Sequence, residues 1–517
     1  MAGIRRCFAL FFCIALMAAG CGRRQKAPDI FRYDLAAPVV NLDPQFARQP
    51  EAKLIIHNCF RALLRIEADG SLAADAAEDY SVSGDGLQYT FRLKTGLLWS
   101  DGSPLTANDY QFALQRLFNP SAPSPYAQDF LSIKGAPEIL SGTLAVENLG
   151  VSAPDDLTLV VQLETPNASF PALMASSASM PCNAQFFAGQ KGRYGLAHDS
   201  VIYNGAFSVR SWNAQCVSLR QNENHDGRCA YGIDLHIGRG QPSVLFEAGE
   251  SDFCLLSWEA FDGRQRPPSA KPYYNQVYSL VFNQNRAVYA DRRIRTALAG
   301  TLETGSIREL LSEDLRPSTG IIPETAWLKG TSYRQIGGDI VPVVFPSNLR
   351  GSFYQALSEM ELDKLPKSTL YVPDTDTGRR LGGLFQRLWQ QQLSCSINIA
   401  ALPLSQLETL ADAGQFEMIL LPGQTGLTPE GVLRFYLGGG VGFSDPRLDA
   451  LLSRAQSANT PEDAASLLNE AEQLIVDSCA ALPLFSAPAY FLCDADTNGA
   501  VYCPYTGLID FSGAERS

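Results

Sequence analysis

Histidine is the side chain best suited to proton transfer or metal ligation near neutral pH, and this chain has four: His57, His198, His225 and His236. None has a partner at metal-ligand spacing, and no HExxH motif is present. A GxSxG nucleophile elbow is missing, as is a GxxxxGK[ST] phosphate loop. The run Gly438-Gly439-Gly440-Val441-Gly442 lacks the flanking Lys and Ser/Thr of such a loop and reads as a flexible turn. The acid pair Asp155-Asp156 falls in a turn and reads as solvated. A Ser-His-Asp arrangement is spatial and stays open at this level. The expectation is a protein that binds rather than turns over, with no catalytic residue, no metal and no cofactor.

Cysteine chemistry points the same way. Beyond Cys21 the chain has nine cysteines: Cys59, Cys182, Cys216, Cys229, Cys254, Cys395, Cys479, Cys493 and Cys503. None forms a CxxC pair, so a zinc knuckle is not supported. Several lie in apolar runs, and most are expected as core thiols. Cys216 and Cys229 flank a polar turn and are the expected disulfide.

The elements that must carry any site follow from periodicity. Residues 87–93 (LQYTFRL) alternate apolar and polar, the period of a half-buried strand. Ser100-Asp101-Gly102 supplies a turn, and Thr106 with Asp109 resembles a capping box. Tyr110, Ala113, Leu114, Leu117 and Phe118 then share one helical face, which Asn119-Pro120 ends. Residues 51–64 suit a helix, and 67–80 a hairpin turn leading to a polar edge. Residues 150–166 read as a turn and strand, and 204–222 as two strands about a bend. A strand at 277–285 precedes a short basic helix at 291–303. Residues 368–403 read strand, helix, strand, the crossover order of a parallel sheet. The next strand is 416–423, followed by helices at 445–458 and 461–478.

With 517 residues the chain exceeds one hydrophobic core, and its 46% hydrophobic and 18% charged composition is that of a folded protein. Net charge is −13, or −15 without Arg5 and Arg6, which gives no support to nucleic-acid binding. Those arginines open a leader: the apolar run 7–19 follows them and ends in Gly20-Cys21. The run is too short for a comfortable membrane span. Ala18-Ala19-Gly20-Cys21 resembles a bacterial lipobox, which implies lipidation at Cys21 and an anchored chain.

The segment DGLQYTFRLKTGLLWSDGSPLTANDYQFALQRL (85–117) resembles the signature of the family 5 extracellular solute-binding proteins, the oligopeptide-, dipeptide- and nickel-binding receptors of bacterial ABC importers. NLDPQFA (41–47), SPYAQ (124–128), NGAFSVRSW (204–212), LVFNQNRAVYADRRIRTAL (280–298) and residues 444–485 continue the resemblance in family order. It implies an α/β, two-lobed periplasmic-binding-protein type II fold with an extra β-rich domain and a hinge. The implied division is a signal peptide (1–20), a lipid-anchored tether (21–30), a first lobe (31–55, 170–260 and 479–517), an extra domain within it (56–169) and a second lobe (261–478). The implied role is a monomeric receptor at the cell envelope that captures a peptide or peptide-like solute and delivers it to a permease and its ATPase. A signalling-peptide receptor or surface chaperone on the same fold is the alternative, and a hydrolase the more distant one.

Family position implies ligand contacts from Arg48, Gln49, Tyr126, Tyr274 and Tyr278, and from Gln424 and Thr425. Peptide binders of the family hold the free amine with an Asp shortly before a helix. The matching segment here, 420–436, offers Gln424, Thr425 and Thr428 instead. A tyrosine-tryptophan motif of the family is likewise replaced by Asn222–Asp226. An ammonium ion buried without a counter-charge is costly. The expectation is therefore weakened preference for free amino termini, with Arg48 favouring an anionic group.

Overall fold

The computed structural model describes residues 29–517 apart from 168, 263–264, 268–269, 329–330, 424–427, 439 and 459. The proposed leader and Cys21 lie outside the described residues.

Strand β1 (Ile30–Leu35) enters the edge of a four-stranded sheet. Helix α1 follows (Pro50–Cys59), then the short hairpin β2 (Leu64–Ile66) and β3 (Leu72–Ala74). The helix stops five residues before the expected Leu64. Gly205 explains this: its N–H binds the Cys59 carbonyl at 2.8 Å, and its Cα sits so close that an added Cβ would lie 2.5 Å from the Cys59 carbonyl carbon. The helix end is thus capped from outside and the chain leaves extended at Phe60.

Strands β4 (Ala77–Val82), β5 (Gln88–Leu93), β6 (Val151–Asp155) and β7 (Thr158–Gln162) make an antiparallel sheet in the order β4-β5-β7-β6. Along β5 the alternation is obeyed: Tyr89, Phe91 and Leu93 are buried, Gln88 and Arg92 exposed. The Trp99–Ser103 turn has Gly102 at φ +85° and leads to helix α2 (Ala107–Leu117). Asp109 accepts the Thr106 N–H at 2.9 Å, closing the capping box, and the buried Trp99 indole N–H at 3.3 Å. One carboxylate therefore joins the turn to the helix start.

Arg116 breaks the amphipathic pattern of α2. It is 8% exposed and donates to Asp43 and to Gln45 Oε1 of the NLDPQ segment, with the Phe46, Phe187 and Tyr194 rings around it. This pair ties α2 to the segment after β1.

Strands β8 (Phe207–Trp212), β9 (Cys216–Gln221) and β10 (Gly232–Ile237) complete the first sheet, with order β1-β10-β9-β8 and β1 parallel to β10. The expected Cys216–Cys229 disulfide is overturned, and both thiols are free. Cys216 begins β9 opposite His236, whereas Cys229 lies beyond its far end, where its thiol meets the Ala206 carbonyl. Five residues of extended strand, about 16 Å, separate those ends, too far for a disulfide. None of the nine described cysteines is paired. Both small sheets, α1 and α2 share one core, from Phe31, Ile55 and Leu219 to Phe91, Trp99 and Leu114.

Helix α3 (Pro242–Glu247) leads to β11 (Phe253–Ser257) and then β12 (Lys271–Phe282), in a second, larger sheet. Helix α4 (Arg292–Gly300), the small strands β13 (Arg316–Pro317), β14 (Trp327–Leu328) and β15 (Thr331–Ser332), and then β16 (Ser368–Pro373), follow. Then come helix α5 (Asp376–Leu393), β17 (Ile397–Leu402), α6 (Leu404–Asp412), β18 (Met418–Pro422), α7 (Pro429–Leu437), α8 (Pro446–Gln456), α9 (Pro461–Asp477) and β19 (Ala481–Cys493), with four short strands within 497–516 after it. The sheet order is β11-β19-β12-β18-β16-β17, with β13 paired to β19. Its central strands are apolar on both faces: Leu280, Phe282 and Leu420 enter one core with α4 and α5, and Val281, Ile419 and Leu421 another with α8 and α9. Such continuous apolar runs mark a sheet covered on both sides.

Two paired strands join the halves. On β11, Phe253 belongs to the first core and Cys254 to the second; on β19, Phe491 belongs to the first and Leu492 to the second. Asp252, fully buried before β11, is gripped by Arg32 from β1 and by Arg516 near the chain end. Burial pushes its carboxyl up, but the Arg32 and Arg516 hydrogen bonds prevail and hold it below the usual carboxylate range.

Candidate ligand-binding cleft

In open α/β sheets a ligand sits beyond the carboxyl ends of the parallel strands. In the large sheet those ends are Pro373 on β16, Leu402 on β17 and Pro422 on β18. Antiparallel β12 brings Tyr278 opposite Pro422 at the same edge, with Tyr274 four residues further out. In the first sheet, parallel β1 and β10 end at Leu35 and Ile237, and α3 follows β10. The two edges meet. A cavity of about 640 Å³ is lined by Val244 and Glu247 of α3, by Glu259 and Asp262 just after β11, and by Asp374 and Asp376 at the start of α5.

Most of the polar wall is committed. Asp262 accepts the Thr377 N–H and hydroxyl, each at 2.7 Å, at the start of α5. Asp374 pairs with Arg379. Glu259 Oε1 accepts the Tyr278 hydroxyl at 2.6 Å. Its Oε2 is buried and has no hydrogen-bond partner among the described residues. On α6, burial first, then Asp412 and Glu259, push the Glu408 carboxyl up.

A second charged group gathers around α1. The Tyr126 hydroxyl donates to the Ala47 carbonyl, and the Lys53 ammonium lies 5.6 Å from the Tyr126 ring centre. Burial lowers the Lys53 ammonium, helped by Arg48 and opposed by Asp129. Burial raises the Asp129 carboxyl against the pull of Lys53 and of Arg434 on α7. Asp129 thus feels charges from both halves of the molecule.

The residues singled out by sequence fall in different places. Arg48 is exposed beside Lys53 and Tyr126. Gln49 braces the loop after β1 through Val40 N–H at 3.3 Å and Pro38 O at 3.4 Å. Tyr274 donates to the Asp314 carbonyl at 3.0 Å and carries the Arg316 guanidinium 3.7 Å over its ring. Tyr278 is in the core rather than on the wall: it is fully buried, stacked on Phe485 and edge-on to Trp258. Gln424 and Thr425 lie outside the described residues. The structure therefore groups Arg48, Gln49 and Tyr126 around the start of α1, and puts Tyr274 and Tyr278 on β12. Sequence reasoning passed over Lys53, Asp129, Glu259 and Arg434. The only local signal was an isolated charge within an apolar stretch, as in LLSWEAF (255–261).

The sequence profile of the bacterial extracellular solute-binding proteins, family 5, matches residues 71–443. The chain belongs to this family. It is similar to the oligopeptide-binding protein OppA of Bacillus subtilis, 26% identical over 98% of this chain and 97% of that protein. Among solved structures it is similar to the substrate-binding domain of an oligopeptide ABC transporter from Bacillus anthracis, with a TM-score of 0.73, 23% identity and coverage of 95% and 99% of the two chains. The pheromone receptor PrgZ is similar at a TM-score of 0.73, 20% identity, and coverage of 95% and 100%. This family 5 protein accordingly has the mixed α/β, type II periplasmic-binding-protein fold. Among its described residues no group of three or more His, Cys, Asp and Glu side chains is placed to hold a metal, and no helix is long and apolar enough to cross a membrane.

Proposed function

We propose that this family 5 protein is the receptor of an ABC importer that captures a peptide or peptide-like solute and passes it to the permease and its ATPase. The observation that carries the reading is the pair of strands β11 and β19, which carry the chain between the halves and turn one face to each core (Phe253 and Leu255 to the first, Cys254 and Leu256 to the second), beside a cavity of about 640 Å³ walled from both sides. Two lobes on two strands can close, and a ligand touching both favours the closed form by its extra contacts. The lobes follow the division 31–55 with 170–260 and 479–517, and 261–478, except that β11 is shared between the cores and β19 packs mainly in the second; the segment 56–169 is an extra domain that shares the first core. The protein acts as a monomer, held at the outer face of the cell envelope by lipid on Cys21. The cleft binds and does not turn over its ligand.

Mass spectrometry of what co-purifies, with small-angle scattering before and after ligand removal, tests this. A bound peptide and a radius of gyration that grows on its removal are expected. A ligand-free protein whose scattering ignores a peptide library overturns the reading.

The likeness to a pheromone receptor favours a second reading, in which the same closure reports a signalling peptide. Uptake of labelled peptide that depends on both this protein and an ABC permease separates transport from sensing.

A further inference from the structure

A tryptophan joins the halves at a point off the two crossing strands. Trp327 on β14 is 1% exposed, yet it belongs to none of the three cores, whereas its neighbours Ala326 and Leu328 enter the one with α8 and α9. Its indole N–H donates to the carbonyl of Gly70, in the turn between β2 and β3 of the extra domain. The indole is therefore covered in part by the half of the molecule to which it does not belong.

Both sides of this contact are braced. The fully buried Glu472 of α9 accepts the Ile321 and Ile322 N–H groups at 2.7 and 3.0 Å, and also the Tyr333 hydroxyl at 3.1 Å and Arg334 at 2.9 Å. One carboxylate thus ties the chain on either side of Trp327 to the second half. The Tyr333 N–H donates to the Ala326 carbonyl at 2.9 Å and closes the arm. Opposite, Gly70 has φ +84° and meets the Tyr505 ring so closely that an added Cβ would lie 2.6 Å from it. The Cys503 thiol donates to the Glu67 carbonyl at 3.4 Å. The turn is so clamped to the end of the chain, in the first half. Burial raises the Tyr505 hydroxyl, and Cys503, Asp69 and then Glu324 of the Trp327 arm raise it further, so the two halves also meet electrostatically here.

We propose that Trp327 is a latch between the lobes, an arm of the second lobe that docks on the β2–β3 turn and favours the closed form before any ligand is bound. This rests on the reading of the molecule as two hinged lobes and on no particular ligand. Because the arm and the turn are each fixed to their own half, neither can follow the other when the lobes part. Opening must then strip the indole of its acceptor and of the cover the first half supplies, and that loss opposes it. A receptor already inclined to close binds every ligand more tightly by one common factor, without changing which ligands it selects.

Small-angle scattering and hydrogen exchange of the ligand-free full chain decide this, with the latch cut from either side. Trp327→Ala removes the indole. Gly70→Ala leaves the arm whole but drives a Cβ into the Tyr505 ring at a left-handed φ, which displaces the turn. Each should enlarge the radius of gyration. Each should also speed exchange in the half that was not altered, by about tenfold: over 64–74 for Trp327→Ala and over 321–334 for Gly70→Ala. The double variant should open no further than either single one, since both cut the same contact. Trp327→Phe keeps a ring without the donor and should fall between; with Gly70→Ala it carries the comparison if Trp327→Ala does not fold. Trialanine and trilysine, titrated into each protein, should lose affinity for Trp327→Ala by the same factor. If neither peptide binds and the variants are still more open than the wild type, the peptide reading fails and the latch stands. The latch is withdrawn if folded variants match the wild type in radius of gyration, or if exchange in the unaltered half does not change. Unequal losses for the two peptides also overturn it, because they make Trp327 a ligand contact.

Discussion

Replacing Arg116 with methionine should destabilise the first lobe by about 3–5 kcal/mol at neutral pH, the usual cost of stranding one partner of a buried ion pair. The side chains of Arg116 and Asp43 are 8% and 7% exposed, so water cannot take over from the lost partner. Methionine keeps most of the packing against Phe187 and Tyr194 but none of the donors. Asp43 would retain one backbone donor, the Gln45 N–H at 3.1 Å. Its carboxyl already sits above the usual range, because burial outweighs Arg116, and without the guanidinium it must rise further. The sign of the pH dependence follows. A carboxyl whose folded value exceeds its unfolded one destabilises the fold above the folded value and ceases to do so below the unfolded value. The deficit should therefore be full at neutral pH and shrink as the solution is acidified. Asp43→Asn keeps the turn to Gln45 without the charge, so the double variant should recover more than half of the loss. The assay is hydrogen exchange over residues 107–118, which reads local stability in a chain of several cores where one global transition is not assured. A deficit under about 1 kcal/mol, or one unchanged between neutral and mildly acidic solution, refutes the reasoning.

Cys21→Ala should abolish fatty-acid labelling and release the protein from membranes; equal labelling of variant and wild type rejects the anchor. Arg48→Ala should weaken ligands bearing a carboxylate near the α1 cluster about tenfold, while leaving thermal stability unchanged, since Arg48 is exposed; unaltered affinities in calorimetry remove Arg48 from the site. Asp252→Asn should loosen the first-lobe end of β11 and raise exchange in 252–257, because Arg32 and Arg516 lose their charge partner. The Asp252 carboxyl is held below its unfolded value, so its contribution is present above that value and lost as pH falls through the folded one. The wild type should therefore lose stability on acidification in that window, and the variant should lose less; matching acid profiles contradict this.

The parts of the fold legible in the sequence were those governed by local rules. β5 alternated, α2 was capped by Thr106 and Asp109, and α8 and α9 began at Pro446 and Pro461, capped by Asp445 and Thr460. What escaped depended on distant partners. Helix α1 ends where Gly205 arrives, a contact across more than a hundred residues, and no local signal marks it. Arg116 lies off the apolar face read for α2, and nothing local marks its pairing with Asp43. At the site, family position drew attention to Tyr278, but burial put it behind the wall, and its hydroxyl leads instead to Glu259. The chemistry of that glutamate comes from what surrounds it, and surroundings have no period in a sequence.

The position of β19 has a consequence for how the protein is made. It lies between β11 and β12, so the last of this sheet's strands to be synthesised is an interior one that links the edge strand β11 to the rest. Until the ribosome has passed residue 493, β11 and β12 cannot be joined, and neither crossing strand has its partner. The junction between the halves must therefore stay open until synthesis is nearly complete, since closing so distant a pairing is slow and depends on the whole intervening length. For a member of an extracellular family that delay suits export, because a chain that cannot finish folding can still be threaded through a translocation channel. It also carries a hazard: a chain cut short before β19 would leave β11 without a partner and one edge of β12 open, and it should aggregate rather than accumulate as a half-built receptor.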